Sequence, residues 1–454
     1  MLAHGFGEPG ELPLPTYLFT WGVVLAVVVA FIAVGASWPE PRLTRASIGR
    51  PLVPYRAVAV VHLVGRVLAF AVYLVCLYAA FFGFDAADRN LLPVTLYVTF
   101  WVGGQLIGGL IGDVWAAINP FDTLARLGEG AARLVGRTPG GGPTTWGHWP
   151  ATAGLLVFLF YELSHPTGAL PRTLAWPMAI HAALVVAGGF LWGARWVVDH
   201  EPFTVFLAKI GAMAPLFDRR RSSAVSGSSR DRWFEYRGGA DRTERSLGLR
   251  PPLSGLATME IRPGTVMLIL VAIGGAAFDG FSEGDIGGEI LDGLFGWQLA
   301  LAELGLMIVS IAAASMLYLV GVWWIDRVTD LSFEDAWREF APSLVPVAFG
   351  YAAAHYFGLF ADESQSFVFR LSDPFGRGWD LFGGADGLIW RIDPDIVAWV
   401  QIVSILFGHV GAVVVANDRA VERFPPGRAT QSQFAMLLVL AAYGAIGLWL
   451  LLNV

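Results

Sequence analysis

GWQLALAELGLMIVSIAAASMLYLVGVWWI, residues 296–325, is an unbroken apolar run interrupted by one ionisable group, Glu303. A helix needs about 20 such residues to cross the hydrocarbon core of a bilayer, so this stretch alone places the chain in a membrane. Nine other segments read the same way: 16–37, 57–84, 91–114, 149–165, 173–196, 263–281, 342–361, 395–417 and 431–453. Composition agrees. Of 454 residues, 55% are hydrophobic and 15% charged, against about 25% charged in ordinary soluble proteins. That balance excludes a disordered chain, a soluble globule and a basic nucleic-acid binder. The single cysteine, Cys76, allows neither an intrachain disulfide nor a thiolate metal cluster. The predicted fold class is all-α: a polytopic transmembrane helical bundle of about ten spans.

Basic residues set the orientation. The loops after spans 1, 3, 5, 7 and 9, together with Arg195 at the end of span 5, hold 24 of the 30 basic residues. Cytoplasmic loops carry that excess, which puts both termini outside and predicts a multi-pass protein of a prokaryotic cytoplasmic membrane. Three regions follow: residues 1–200 as a first half of five spans, 201–262 as a cytoplasmic interfacial helix and Arg-rich linker, and 263–454 as a second half. The stretch from Glu201 to Leu216 is expected to lie along the interface. The linker DRRRSSAVSGSSRDRWFEYRGGADRTERSLGLRPP (218–252) reads as a solvated anchor, or as a contact for anionic lipid. The outer loop DGFSEGDIGGEILDG (279–293) has five acids and no base. No internal repeat relates the two halves.

Ionisable groups inside spans are costly, so each is a functional candidate. Helical rise places Glu162, His165, His181, Asp279, Glu283, Glu303 and His355 in the outer half. Imidazole and carboxylate together are a usual ligand set for Zn, Fe, Mn or Cu. The candidate metal ligands are His181, His355, Glu162 and Asp279, with Glu303 and His355 as candidate catalytic groups. An inner layer collects His62 and Arg66 on one face of span 2, Asp113 and Asn119 around span 3, and His409, Asn417, Asp418 and Arg419 near the end of span 9. Asn119-Pro120 breaks its helix, because proline disfavours a helical residue before it. The loop LSDPFGRGWDLFG (371–383), with Asp373, Arg377 and Asp380, is expected to fold as a lid over the outer polar layer. For each helix-buried histidine the plainer reading is a hydrogen-bonded packing element.

SLVPVAFGYAAAHYF (343–357), LSDPFGRGWDLFG (371–383) and FGHVGAVVVANDRAV (407–421) resemble a prokaryotic family of multi-pass membrane proteins known as fenitrothion hydrolase-like. Weaker echoes are AHGFG (3–7), INPFD (118–122), YELSHP (161–166) and FDGFSEG (278–284). The resemblance implies hydrolysis of organophosphate-like esters and marks His355, Asp373, Asp380 and His409. The chain departs from the family at position 417, where Asn stands in place of the expected His, and an amide is a poor transition-metal ligand. The first functional expectation is therefore a metal-dependent membrane hydrolase. The alternatives are a transporter or channel for a cation or small solute, a haem- or copper-binding redox or assembly subunit, and a non-catalytic scaffold.

Overall fold

The computed structural model describes residues 16–140, 142, 144–220, 245–383 and 389–452. The first part of the chain carries α1 (Thr16–Ser37), β1 (Arg50–Pro54), α2 (Tyr55–Phe82), α3 (Leu91–Leu110), α4 (Val114–Ile118), α5 (Pro120–Leu134), α6 (Trp149–Leu163), α7 (Pro171–Trp192), α8 (Trp196–His200) and α9 (Pro202–Gly211). Strands β2 (Leu216–Arg220) and β3 (Arg245–Leu249) follow. The second part carries α10 (Thr265–Glu283), α11 (Trp297–Val328), α12 (Leu344–Ser372), α13 (Pro394–Arg423) and α14 (Pro426–Leu452).

A helix occupies each of the ten expected segments. Eight described helices are long and apolar enough to cross a membrane, and in its make-up the chain is a multi-pass membrane protein. The other two are shorter: α6 spans Trp149–Leu163, and α1 is described in full over Trp21–Ser37. The most enclosed long helix is α12, packed against α3, α10 and α13. Small residues set its closest approach. A Cβ on Gly350 would meet the Ser404 carbonyl at 2.6 Å, and one on Gly408 would meet the Pro346 carbonyl at the same distance. Only glycine lets α12 and α13 cross so tightly.

The bundle is not purely helical. β1, β3 and β2 form a three-stranded antiparallel sheet in that order. β3 pairs Leu249 with Arg50 on one side and with Leu216 on the other. The expected linker thus starts and ends in strands. Its central part, residues 221–244, lies outside the described residues, and with it most of the Arg-rich stretch read as a contact for anionic lipid. The segment after Glu201 is also corrected. Rather than lying along an interface, α9 is buried along almost its whole length, from Pro202 to Gly211. Its Phe203, Val205, Phe206, Leu207 and Ile210 are all buried, and so are Thr204 and Lys209, which suits a core helix and not an amphipathic surface one.

α5 and α9 are half-length helices that begin alike. Each follows a capping residue and a proline at its first position, Asn119-Pro120-Phe121 and Glu201-Pro202-Phe203. Proline is pre-set for that first turn, where its missing N–H costs nothing. The likeness extends further. GGLIGDVWAAINPFDTLARLG (108–128) and GGFLWGARWVVDHEPFTVFLAKIG (188–211) share the glycine pair, a tryptophan, the capped Pro-Phe turn and a closing Leu-Ala-basic-apolar-Gly. The packing is exchanged between the two units. α5 lies along α7, and α9 lies along α3. The Gly189 site of α7 abuts the Ala125 carbonyl of α5, and the Gly108 site of α3 faces Ile210 of α9. This is a direct repeat within the first half, invisible to a comparison of one half with the other.

Candidate functional site

Two buried polar clusters stand out. The first lies where α5 and α9 begin. Asn119 Oδ1 accepts from the backbone N–H groups of Phe121 (2.9 Å) and Asp122 (3.3 Å). Glu201, fully buried, accepts from those of Phe203 (3.2 Å) and Thr204 (2.7 Å). Each cap satisfies N–H groups that a helix start leaves without partners. The two caps are then joined. Asn119 Nδ2 donates to Thr204 Oγ1 at 2.7 Å, and the Thr204 hydroxyl donates to Glu201. Phe121 and Phe203 stack with centroids 6.0 Å apart.

His181 reaches this junction from α7. Its Nε2 lies 3.2 Å from Glu201 Oε1, close enough for charge pairing but not aligned as a hydrogen bond. Its ring stands edge-on to Phe121 at 4.6 Å. Two residues beyond Pro120, Asp122 is held by Arg66 at 3.2 Å and Arg126 at 3.1 Å. Tyr73 of α2 also faces this point. It is 8% exposed, its ring lies 5.7 Å from Phe121, and its hydroxyl has no hydrogen-bond partner among the described residues. His181 precedes the end of α7 at Trp192 by 11 residues, which is roughly 16 Å along the axis. The junction is therefore deep within the helical layer.

The second cluster lies where α10 packs against α12. Asp279 of α10 accepts from the Tyr356 hydroxyl at 2.7 Å and sits 2.9 Å from His355 Nε2, both on α12. Asp279, His355 and Tyr356 are each at most 5% exposed. Tyr351 stacks on His355 at 5.8 Å. Glu162 of α6 and Glu283 of α10 lie within electrostatic reach of Asp279.

The expected metal set does not assemble. Asp279 and His355 come together with Glu162 nearby, but His181 belongs to the other cluster, paired with Glu201. Among the described residues no group of three or more His, Cys, Asp or Glu is placed to hold a metal ion. Helical rise gave His181 a depth but not the face toward which it turns. Glu303, expected to act with His355, is half-buried on α11, and no hydrogen bond or ion pair joins it to His355 or His181.

The remaining candidates are structural in their contacts. Asp373 accepts from the backbone of Arg377 (2.9 Å) and Gly378 (2.6 Å), and Asp380 accepts from Ser372 at 3.0 Å. The expected lid is thus folded on itself, and it docks sideways on the α2–α3 turn through Phe84 N–H to the Phe375 carbonyl at 3.0 Å. His409 bonds the Ile405 carbonyl of its own helix at 2.7 Å and packs against Gly444. Asp113 caps α4 through Ala116 N–H at 3.0 Å. His62 sits one turn from Arg66 on α2. Asp418 holds Trp38 Nε1 (2.8 Å) and the backbone of Arg42 (2.7 Å), so it ties α13 to the turn after α1. Asn417 lies beside it, with Nδ2 3.4 Å from the Trp38 carbonyl.

Glu201, Thr204 and Tyr73 were missed as candidates. Glu201 and Thr204 fell in the expected region 201–262, and Tyr73 lay unremarked inside span 2. The available signal was the recurrence of a capping residue, Pro and Phe in INPF (118–121) and HEPF (200–203). Compared with family models, with curated proteins and with solved structures, the chain matches none.

Proposed function

We propose that this protein carries a small polar solute or cation across a membrane. One observation supports the reading most: two half-helices of one repeat meet start to start, deep in the helical layer, at a joined Asn119–Thr204–Glu201 cap beside His181. Interrupted helices expose backbone and buried polar groups only where these line a path or are enclosed by protein. Repeats with broken helices at the bundle's middle are a recurring plan for transport. Glu201 and His181 supply a pair that a passing solute can part and re-form. Tyr73 supplies a hydroxyl able to donate or accept as the solute moves on. In this reading all ten helices span, both termini lie outside, and the sheet end faces the cytoplasm.

The hydrolase reading implied by the family resemblance needs a metal-bound water or a side-chain nucleophile beside a base. The side chains around His355 do not provide a metal's donor set, so no step is built on one. Reconstituted vesicles test the transport reading. Solute-driven swelling or dye-reported cation flux should appear with the full chain and fall about tenfold or more in Glu201→Ala and His181→Ala. Equal flux in vesicles with and without protein, across ammonium, alkali-cation and small neutral solutes, would sink it. Turnover of an aryl phosphotriester by the same preparation would restore the hydrolase.

A further inference from the structure

The cluster around Asp279 has acceptors to spare. Among the described residues, Glu162 Oε2 and Glu283 Oε2 are enclosed and have no hydrogen-bond partner. Tyr351 is 6% exposed, and its hydroxyl has none among them either. That hydroxyl is directed at the α10 backbone next to Asp279, since a Cβ on Gly280 would meet it at 2.8 Å. It lies within electrostatic reach of both Asp279 and Glu283. A buried polar atom without a partner costs about 1–3 kcal/mol, and here three such atoms, on Glu162, Glu283 and Tyr351, belong to the space around Asp279 and His355.

We propose that this space binds the ammonium group of a small cation, either ammonium itself or a primary alkylammonium, as the cargo of the transport function above; the assignment rests on that reading. Three features select the chemistry. The acidic groups require positive charge. The acceptors are not arranged for a single metal ion, whose bonds reach only about 2–2.5 Å. An ammonium group instead donates three hydrogen bonds and bridges acceptors set farther apart. The Tyr356 ring, 4.6 Å from that of His355 and near-perpendicular to it, and the stacked Tyr351 ring add aromatic surface beside it, which suits a cation. The acidic loop 279–293 beside it raises the local cation concentration.

Binding to the purified full chain in detergent tests the assignment independently of flux. Ammonium, methylammonium, tetramethylammonium and sodium chlorides are titrated at constant ionic strength, with calorimetry and thermal unfolding as readouts. Saturable binding is expected for ammonium or methylammonium and not for tetramethylammonium or sodium, which have no N–H to donate. Preference for ammonium identifies the inorganic ion, and preference for methylammonium an organic amine. Glu283→Gln should weaken binding about tenfold and Tyr351→Phe about threefold to tenfold, the scale of one lost hydrogen bond. Unliganded unfolding temperatures of the two variants should stay close to that of the parent chain. Equal response to all four salts overturns the proposal, as does undiminished binding in both folded variants. Specific binding without flux in vesicles would retain this site and refute transport.

Discussion

His148 and His200 show how single residues tie this fold to pH. His148 caps the start of α6, with Nδ1 2.7 Å from Thr265 Oγ1, and His200 Nδ1 lies 2.9 Å from the Gly147 carbonyl. Burial, above all, lowers the affinity of both rings for a proton, and Lys209 and Arg262 nearby push His148 further down. A depressed histidine keeps its full contribution above the unfolded value of 6.5. As pH falls through that value the unfolded chain takes up protons that the folded chain refuses, so stability declines. Each such ring lowers stability as pH falls below 6.5, until the folded ring is itself protonated. The unfolding temperature in detergent should therefore drop between pH 7.5 and 5, and His200→Asn should flatten the drop. A profile identical in the variant and the parent chain would show that His200 is not part of it.

At the scale of the helix, the exchanged packing of α5 and α9 makes glycines decisive. A Cβ at Gly189 would collide with the backbone at Ala125, and backbone does not give way as a flexible side chain can. Gly189→Ala should push α5 off α7 and shift the Asn119–Glu201 junction. Its expected cost is on the order of 1–3 kcal/mol from overpacking, with flux lost well before the fold. Gly130, whose added Cβ would meet nothing within 4 Å, is the matched control, and Gly130→Ala should gain at most about 1 kcal/mol, since alanine is the better helix former. Equal behaviour of the two in unfolding and flux would refute the argument. The same elements show what was legible beforehand. Runs such as 296–325 are long and uniform enough that length alone fixes a helix. α9 was misplaced because ten residues are too few to cross a bilayer, and its apolar faces were taken for an interface. The Asp279–His355 pair follows from two helices of similar depth, but depth carries no azimuth. That is why His181 was grouped with His355 instead of with Glu201.

For the molecule as a whole, basic residues and helix order make one arrangement self-consistent. Reporter fusions at residue 225 and after residue 454 should give opposite signals, cytoplasmic and extracytoplasmic, if α10 to α14 make five crossings as the ten-span arrangement proposes. Matching signals would remove the ten-span arrangement. The sheet has a different consequence, one that concerns chain continuity. β2 and β3 pair from Leu216↔Leu249 to Arg220↔Arg245, and β3 is also zipped to β1. Arg220 and Arg245, which flank residues 221–244, are therefore held side by side. A peptide bond in that interval joins ends already held together by neighbouring strands and by the helices beneath. Two separately encoded fragments, 1–220 and 245–454, should find each other in one membrane and co-purify through a tag on either piece. If they do not, covalent linkage is what brings the two halves together, and the zipper only follows.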